Sequence, residues 1–220
     1  QIESWDTTTV RASTPMILLC EYIKKNTNIT VIYSGEGSDE ASGSYMYFKN
    51  APDNDEFHQE TCRLVKDLQY FDVLRSDKSV SSAGLEVRVP FLDKDFLDFY
   101  MSIDPKFKID KGSEKTDNQT IEKYLLRSSF DDGLLPDEVL WRIKEAFSDG
   151  CSSKKKSWYQ IIQEFVKNSF DEDDNMRNYT HHPPKFQEAL YYRYLFEQYF
   201  PHKDTIIPYY WLPKWSGNVE

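Results

Sequence analysis

Three cysteines in 220 residues, Cys20, Cys62 and Cys151, are too few and too widely spaced for a disulfide framework. They suit free thiols in a reducing compartment, and Cys20 and Cys62 fall in helical, apolar settings where packing is the expected role. No apolar run approaches the length of a membrane span, and the opening Gln1-Ile2-Glu3-Ser4 is not a signal peptide. Basic charge is also in deficit. Lys and Arg number 27 against 37 Asp and Glu, a net charge of -10, which argues against nucleic-acid or membrane-surface binding. Nucleotide binding needs only a few local cations and stays open. What the chain does have is 39% hydrophobic and 15% aromatic content, enough for a globular core.

The chain is organised around Val31-Ile32-Tyr33-Ser34-Gly35-Glu36-Gly37-Ser38-Asp39-Glu40. It reads as a buried strand from Ile29 to Tyr33, a glycine turn and a helix start. Glycines at such a turn let the backbone approach a ligand, and the free N–H groups of a helix start attract anions. The loop also carries Glu36, Asp39 and Glu40, which would repel bare phosphate. The combination makes sense if a divalent cation bridges carboxylate and phosphate, or if a carboxylate meets an amine beside a nucleotide. The plainer alternative is an acidic turn whose Ser and Asp cap the next helix, with Glu40 favouring the helix dipole.

Around that stretch the chain reads mostly as helix. One helix starts at Ser13-Thr14-Pro15 and runs to Asn26. Others cover Ser38 to Lys49, Asp53 to Arg75, Ser76 to Leu85, Asp93 to Met101, Thr120 to Phe130, Pro136 to Leu140, Trp158 to Phe170 and Lys185 to Phe200. Pro90 makes Val87 to Leu92 a turn rather than a central strand. Lys108 to Gln119 and the acidic run Asp171-Glu172-Asp173-Asp174 read as loops, and there is no internal repeat. His181-His182-Pro183-Pro184 lacks the i, i+4 geometry of a helical metal site. One strand among so many helices is odd for a complete α/β domain, and further strands upstream of Gln1 are expected.

Several blocks resemble the synthetase domain of glutamine-hydrolysing asparagine synthetases. They are Ser34 to Glu40 followed by Tyr45 to Pro52, Gly84 to Asp93, Trp141 to Gly150, the tail Tyr209 to Trp215, and the opening Asp6 to Ser13. The resemblance covers nearly the whole chain and implies an α/β pyrophosphatase-loop (adenine nucleotide alpha hydrolase-like) fold. It also implies ATP-dependent conversion of aspartate to asparagine through a β-aspartyl-AMP intermediate, with loss of AMP and pyrophosphate. ATP and Mg²⁺ would be needed, and ammonia would come from glutamine through an N-terminal glutaminase domain. The setting would be cytoplasmic, and a homodimer is the assembly to test.

That reaction needs fixed cations for the leaving phosphates and a group to accept a proton from ammonia. The resemblance assigns Ser34 and Gly35 to the nucleotide, Glu36 to the acyl-adenylate and Asp39 to Mg²⁺. It assigns Arg88 and Lys144 to pyrophosphate as catalytic cations, and Thr8 and Arg11 to the aspartate and the reacting centre. Read without it, Arg88 would pair with Glu86 or Asp93, Lys144 would sit on a solvated face, and the aromatic tail would pack as core or lid. Ser44 stands where the family has glycine, which would be strained if φ is positive there. The stretch Lys108 to Gln119 is longer than the family's connection. The family's Ser-Gly-Gly-x-Asp-Ser phosphate loop and its glutaminase cysteine are not in these residues, so the isolated chain is expected to be inactive. The alternatives are a related amide ligase, such as a β-lactam synthetase, and a non-catalytic interaction module.

Overall fold

A computed structural model describes residues 1–109, 111–112, 114–117, 119–153, 155–171 and 179–217. Helix α1 spans Thr7–Asn26, six residues ahead of the expected start. Asp6 caps it, accepting from the Thr9 N–H and hydroxyl at 2.8 Å each. Pro15 therefore lies inside the helix, where its ring denies the Arg11 carbonyl a partner. The Trp158 indole N–H supplies that partner at 3.1 Å, which explains how a helix-breaking residue is accommodated.

Strand β1, Val31–Tyr33, follows, and then helix α2, Ser38–Ser42, a single turn. The expected helix to Lys49 stops there because Gly43 adopts φ +60°, and a Cβ at Gly43 would sit 2.3 Å from the Phe57 ring. Met46–Asn50 continues as a 3₁₀ turn. Helix α3 is Asn54–Asp67 and α4 is Asp72–Ser82, separated by a 3₁₀ turn at Leu68–Tyr70. The single helix expected to reach Arg75 is thus broken before Phe71, whose φ of -128° and ψ of -94° are not helical. Strand β2 is Glu86–Arg88, and here the expected turn is corrected. The strand ends two residues before Pro90, which opens a 3₁₀ turn instead of interrupting the ladder.

Helix α5 is Lys94–Ser102. The expected loop after Lys108 contains β3, Lys111–Gly112, which pairs antiparallel with β4, Thr120–Ile121. Helix α6, Tyr124–Ser129, is accordingly shorter than expected. Then come α7, Asp137–Leu140, α8, Phe147–Gly150, α9, Trp158–Ser169, and α10, Gln187–Tyr199. Of the expected acidic loop, 172–174 lie outside the described residues.

β1 and β2 pair in parallel with Val31 opposite Glu86 and Tyr33 opposite Arg88. The link between them runs through α2, α3 and α4, the long crossover that parallel pairing requires. Cys20 of α1 packs on Val80 and Leu85, with Ile32 and Val87 of the sheet against them. Cys62, expected in the core, is exposed on α3 beside His58.

A second core centres on Trp5, Phe71, Phe196 and Ile207, with the tail residues Tyr209, Tyr210 and Trp211 against it. Arg193 stacks 3.9 Å over the Trp5 ring. The Asp6 carboxylate ties this core together, because its other oxygen accepts from the Trp211 N–H at 2.8 Å.

Burial pushes the Asp6 carboxyl up from 3.8 to about 6, against the pull of the hydrogen bonds from Thr9 and Trp211. A raised carboxyl favours folding below its unfolded value and loses that contribution as pH climbs to about 6. The loss is at most on the order of 3 kcal/mol at about 1.4 kcal/mol per unit. Asp6→Asn lacks this dependence. Urea unfolding at about pH 4 and about pH 7.5 should therefore find its stability deficit clearly smaller at the higher pH. A deficit that stays constant would mean the native carboxyl ionises at no cost, and one that grows with pH would mean its value lies below the unfolded one.

Candidate functional site

A cavity of about 750 Å³ opens where the turn after β1 meets the N-terminal part of α1, the N-terminal half of α4 and the segment around Lys144. Gly37 makes the turn possible. Its φ is +87°, and a Cβ there would lie 2.1 Å from the Leu92 side chain. Ser34 extends the ladder by donating its N–H to the Arg88 carbonyl at 2.8 Å. Among the described residues, its chain neighbours aside, no atom lies within 4 Å of where a Gly35 Cβ would project, so backbone is open to approach there. Ser38 folds back onto the Gly35 carbonyl through its hydroxyl at 2.7 Å. With α2 only one turn long, little helix dipole builds up, and attraction for anions falls to side chains instead.

Glu36 meets Arg75 of α4, whose Nη2 lies 3.2 and 3.0 Å from the two carboxylate oxygens. The same nitrogen is 2.9 Å from Asp72. Burial raises the Glu36 carboxyl, while the Arg75 guanidinium pulls it down and Asp72 pushes it up again. Asp39 has the opposite outcome. Burial works against its charge, yet the ammonium groups of Lys123 and Lys144 outweigh that and hold it below its ordinary value. Both lysines reach one oxygen, Oδ1, at 2.5 and 3.0 Å. Glu40 is 2% exposed and accepts from the Tyr45 hydroxyl. Burial, with Asp72 and Asp39 nearby, pushes its carboxyl to about 8.

The other expected site residues divide. Ser34, Gly35, Glu36, Asp39 and Lys144 converge on the cavity, and Thr8 and Arg11 line it from α1. Arg11 is engaged with Glu188 of α10 in a two-pronged pair, Nε to Oε1 at 2.7 Å, and its guanidinium lies 5.6 Å from the Tyr159 ring. The structure does not bring Arg88 to the site. As residues i and i+2 of β2, Glu86 and Arg88 share a face and pair at 2.5 Å, both more than half exposed. Arg75 lines the cavity, as Arg11 does, and Arg88 does not. Ser44 does not adopt a positive φ, so the condition under which it would be strained is not met.

Sequence reasoning missed Asp72, Arg75, Lys123 and Tyr45. Asp72 and Arg75 stand one helical turn apart among apolar positions of α4, a signal of paired buried charge that was readable. Lys123 is held at φ +58°, a left-handed conformation rare for lysine that no local pattern announces. Among the described residues no cluster of three His, Cys, Asp or Glu is set to hold a metal.

A family model described as asparagine synthase matches residues 2–55 and 48–216. The chain is 46% identical over 218 residues to the glutamine-hydrolysing asparagine synthetase of Gallus gallus, covering 97% of the chain and 38% of that protein. It is 47% identical over 218 residues to a probable glutamine-hydrolysing asparagine synthetase of Acanthamoeba polyphaga mimivirus, at 99% and 38% coverage. To the Homo sapiens asparagine synthetase it is 46% identical over 224 residues, at 100% and 38%. The chain thus spans 38% of the length of each of these relatives. With the family model matched across nearly every residue, this α/β chain belongs to the asparagine synthase family.

Proposed function

We propose that this chain supplies part of the synthetase site of a glutamine-dependent asparagine synthetase on a pyrophosphatase-loop fold. The observation that carries the reading is Asp39 shared between Lys123 and Lys144, one cavity wall away from Glu36 held by Arg75. Two ammonium groups on one carboxylate oxygen leave positive charge to spare, which suits the phosphates of ATP and the pyrophosphate that leaves. Ser34 and Gly35 offer backbone and hydroxyl to the nucleotide beside them. Mg²⁺ would enter on the phosphates with Asp39 as a ligand and neutralise charge there.

In this reading Glu36 faces the acyl-adenylate, held in place by Arg75. The carboxylate can accept a proton from ammonia as the C–N bond forms and AMP departs. Ammonia from glutamine requires the glutaminase function that names the relatives. Aspartate is the substrate those names imply, and a reducing, cytoplasmic setting agrees with three unpaired cysteines.

The test is a chimera in which this chain replaces its counterpart in the Gallus gallus relative. It should release AMP from Mg-ATP and ammonia only when aspartate is present, while the 220 residues alone release none. AMP release with another carboxylate and not aspartate would overturn the substrate, and measurable AMP from the isolated chain would overturn the need for further residues. In the chimera, Lys144→Ala should cut AMP formation about a hundredfold or more, as loss of a charge-stabilising donor does elsewhere. Rates within about twofold of native would remove Lys144 from the chemistry.

Arg75→Gln removes the positive charge that lowers the Glu36 carboxyl, so that carboxyl should rise further. If Glu36 acts ionised, the acid limb of the pH–rate profile must then move to higher pH. An unmoved limb would exclude Glu36 as the titrating base.

A further inference from the structure

Lys144 lies on a segment, 142–146, with no helix or strand to stiffen it. A lysine side chain loses on the order of 2 kcal/mol of rotamer freedom when fixed, so something must hold it. Asp39 alone is a poor anchor. Its Oδ1 is already 2.5 Å from Lys123, and an incoming phosphate would compete for both ammonium groups.

The other contact of Lys144 is different in kind. Its Nζ sits 4.6 Å from the centroid of the Tyr45 ring. A cation over a ring is held without occupying a hydrogen-bond acceptor, so beyond the pair with Asp39 the remaining donors stay available to phosphate. The ring is itself fixed. It stacks on Tyr47 at 6.1 Å and 8°, and meets Trp211 edge-on at 5.2 Å. Its hydroxyl is clamped by the buried carboxyl group of Glu40. Glu40 stands next to Asp39 in α2, so the clamp and the acid partner of Lys144 move as one unit.

We infer that Tyr45, clamped by Glu40, is a positioning residue that seats Lys144 over its ring and aims the ammonium group into the cavity. This rests on the proposed role of Lys144 toward phosphate, but the seat itself is a property of the chain and is measurable without turnover.

Reductive ¹³C-methylation of the lysines in the full chain keeps their charge and gives each a methyl signal. The Lys144 signal, assigned by its loss in Lys144→Arg, should lie upfield through the ring current of Tyr45. Tyr45→Leu should return it to the position of an exposed lysine. Tyr45→Phe keeps the ring but removes the clamp, and should give an intermediate, averaged shift even if Tyr45→Leu does not fold. A native-like Lys144 signal in Tyr45→Leu overturns the seat, and an unchanged one in Tyr45→Phe overturns the share of Glu40.

Titration with inorganic pyrophosphate separates the seat from the functional reading. Tyr45→Leu should weaken binding about tenfold, the order that a partly desolvated cation–π contact supports. A native chain that binds no pyrophosphate but has the upfield signal would keep the seat and remove the phosphate role. Equal binding by native and Tyr45→Leu would overturn the aiming.

Discussion

One ion-pair junction holds the site together. Asp39 begins a single-turn helix, Lys123 precedes α6 on a strained backbone, and Lys144 lies on an irregular segment, yet all three meet at one oxygen. A buried carboxylate with no partner would be neutralised, because its desolvation cost is several kcal/mol. Two ammonium groups reverse that and hold Asp39 below its ordinary value. The same logic makes the junction cooperative. Removing either lysine weakens the case for burying the carboxylate, and removing Asp39 leaves two ammonium groups repelling one another.

The junction also gives the cavity a polarity. At one end two cations face a single carboxylate. At the other, Glu36 and Asp72 share a single guanidinium, that of Arg75, so negative charge is in excess there. A phosphate alone would be drawn to one end and pushed from the other. Net acidity of the chain therefore does not oppose nucleotide binding, since the sign that matters is local.

A strand with a glycine turn after it was legible because strand and turn chemistry are local, but the strand is Val31–Tyr33 rather than Ile29 to Tyr33 and is not the buried one expected: Ile29, Val31 and Tyr33 are exposed and Ile32 is half-buried. Helix ends were legible to within a residue at α5, α7 and α9. Pro15 misled because the partner that frees it from breaking α1 is Trp158, far away in the chain. Pro90 misled for another reason: the strand before it needed only three residues, and their partner was β1. The resemblance named Glu36, Asp39 and Lys144, and the fold brings them to one cavity. Arg88 is not brought there, because strand alternation turned it toward Glu86 while helix α4 turned Arg75 inward.

The aromatic tail explains why so dispersed a site holds its shape. Trp211 touches the edge of Tyr45, lines the cavity and gives its backbone N–H to Asp6 at the start of α1. One residue near the end of the chain thus links the helix that carries Thr8 and Arg11 to the ring beneath Lys144. Rigid aromatic contacts suit this task, since a ring loses only two torsions when packed and buries more surface than a lysine or carboxylate does. The charged groups supply the field and the aromatic groups supply the geometry. The ring of Tyr45 does both: its plane is fixed by Tyr47 and Trp211, and its face attracts the cation.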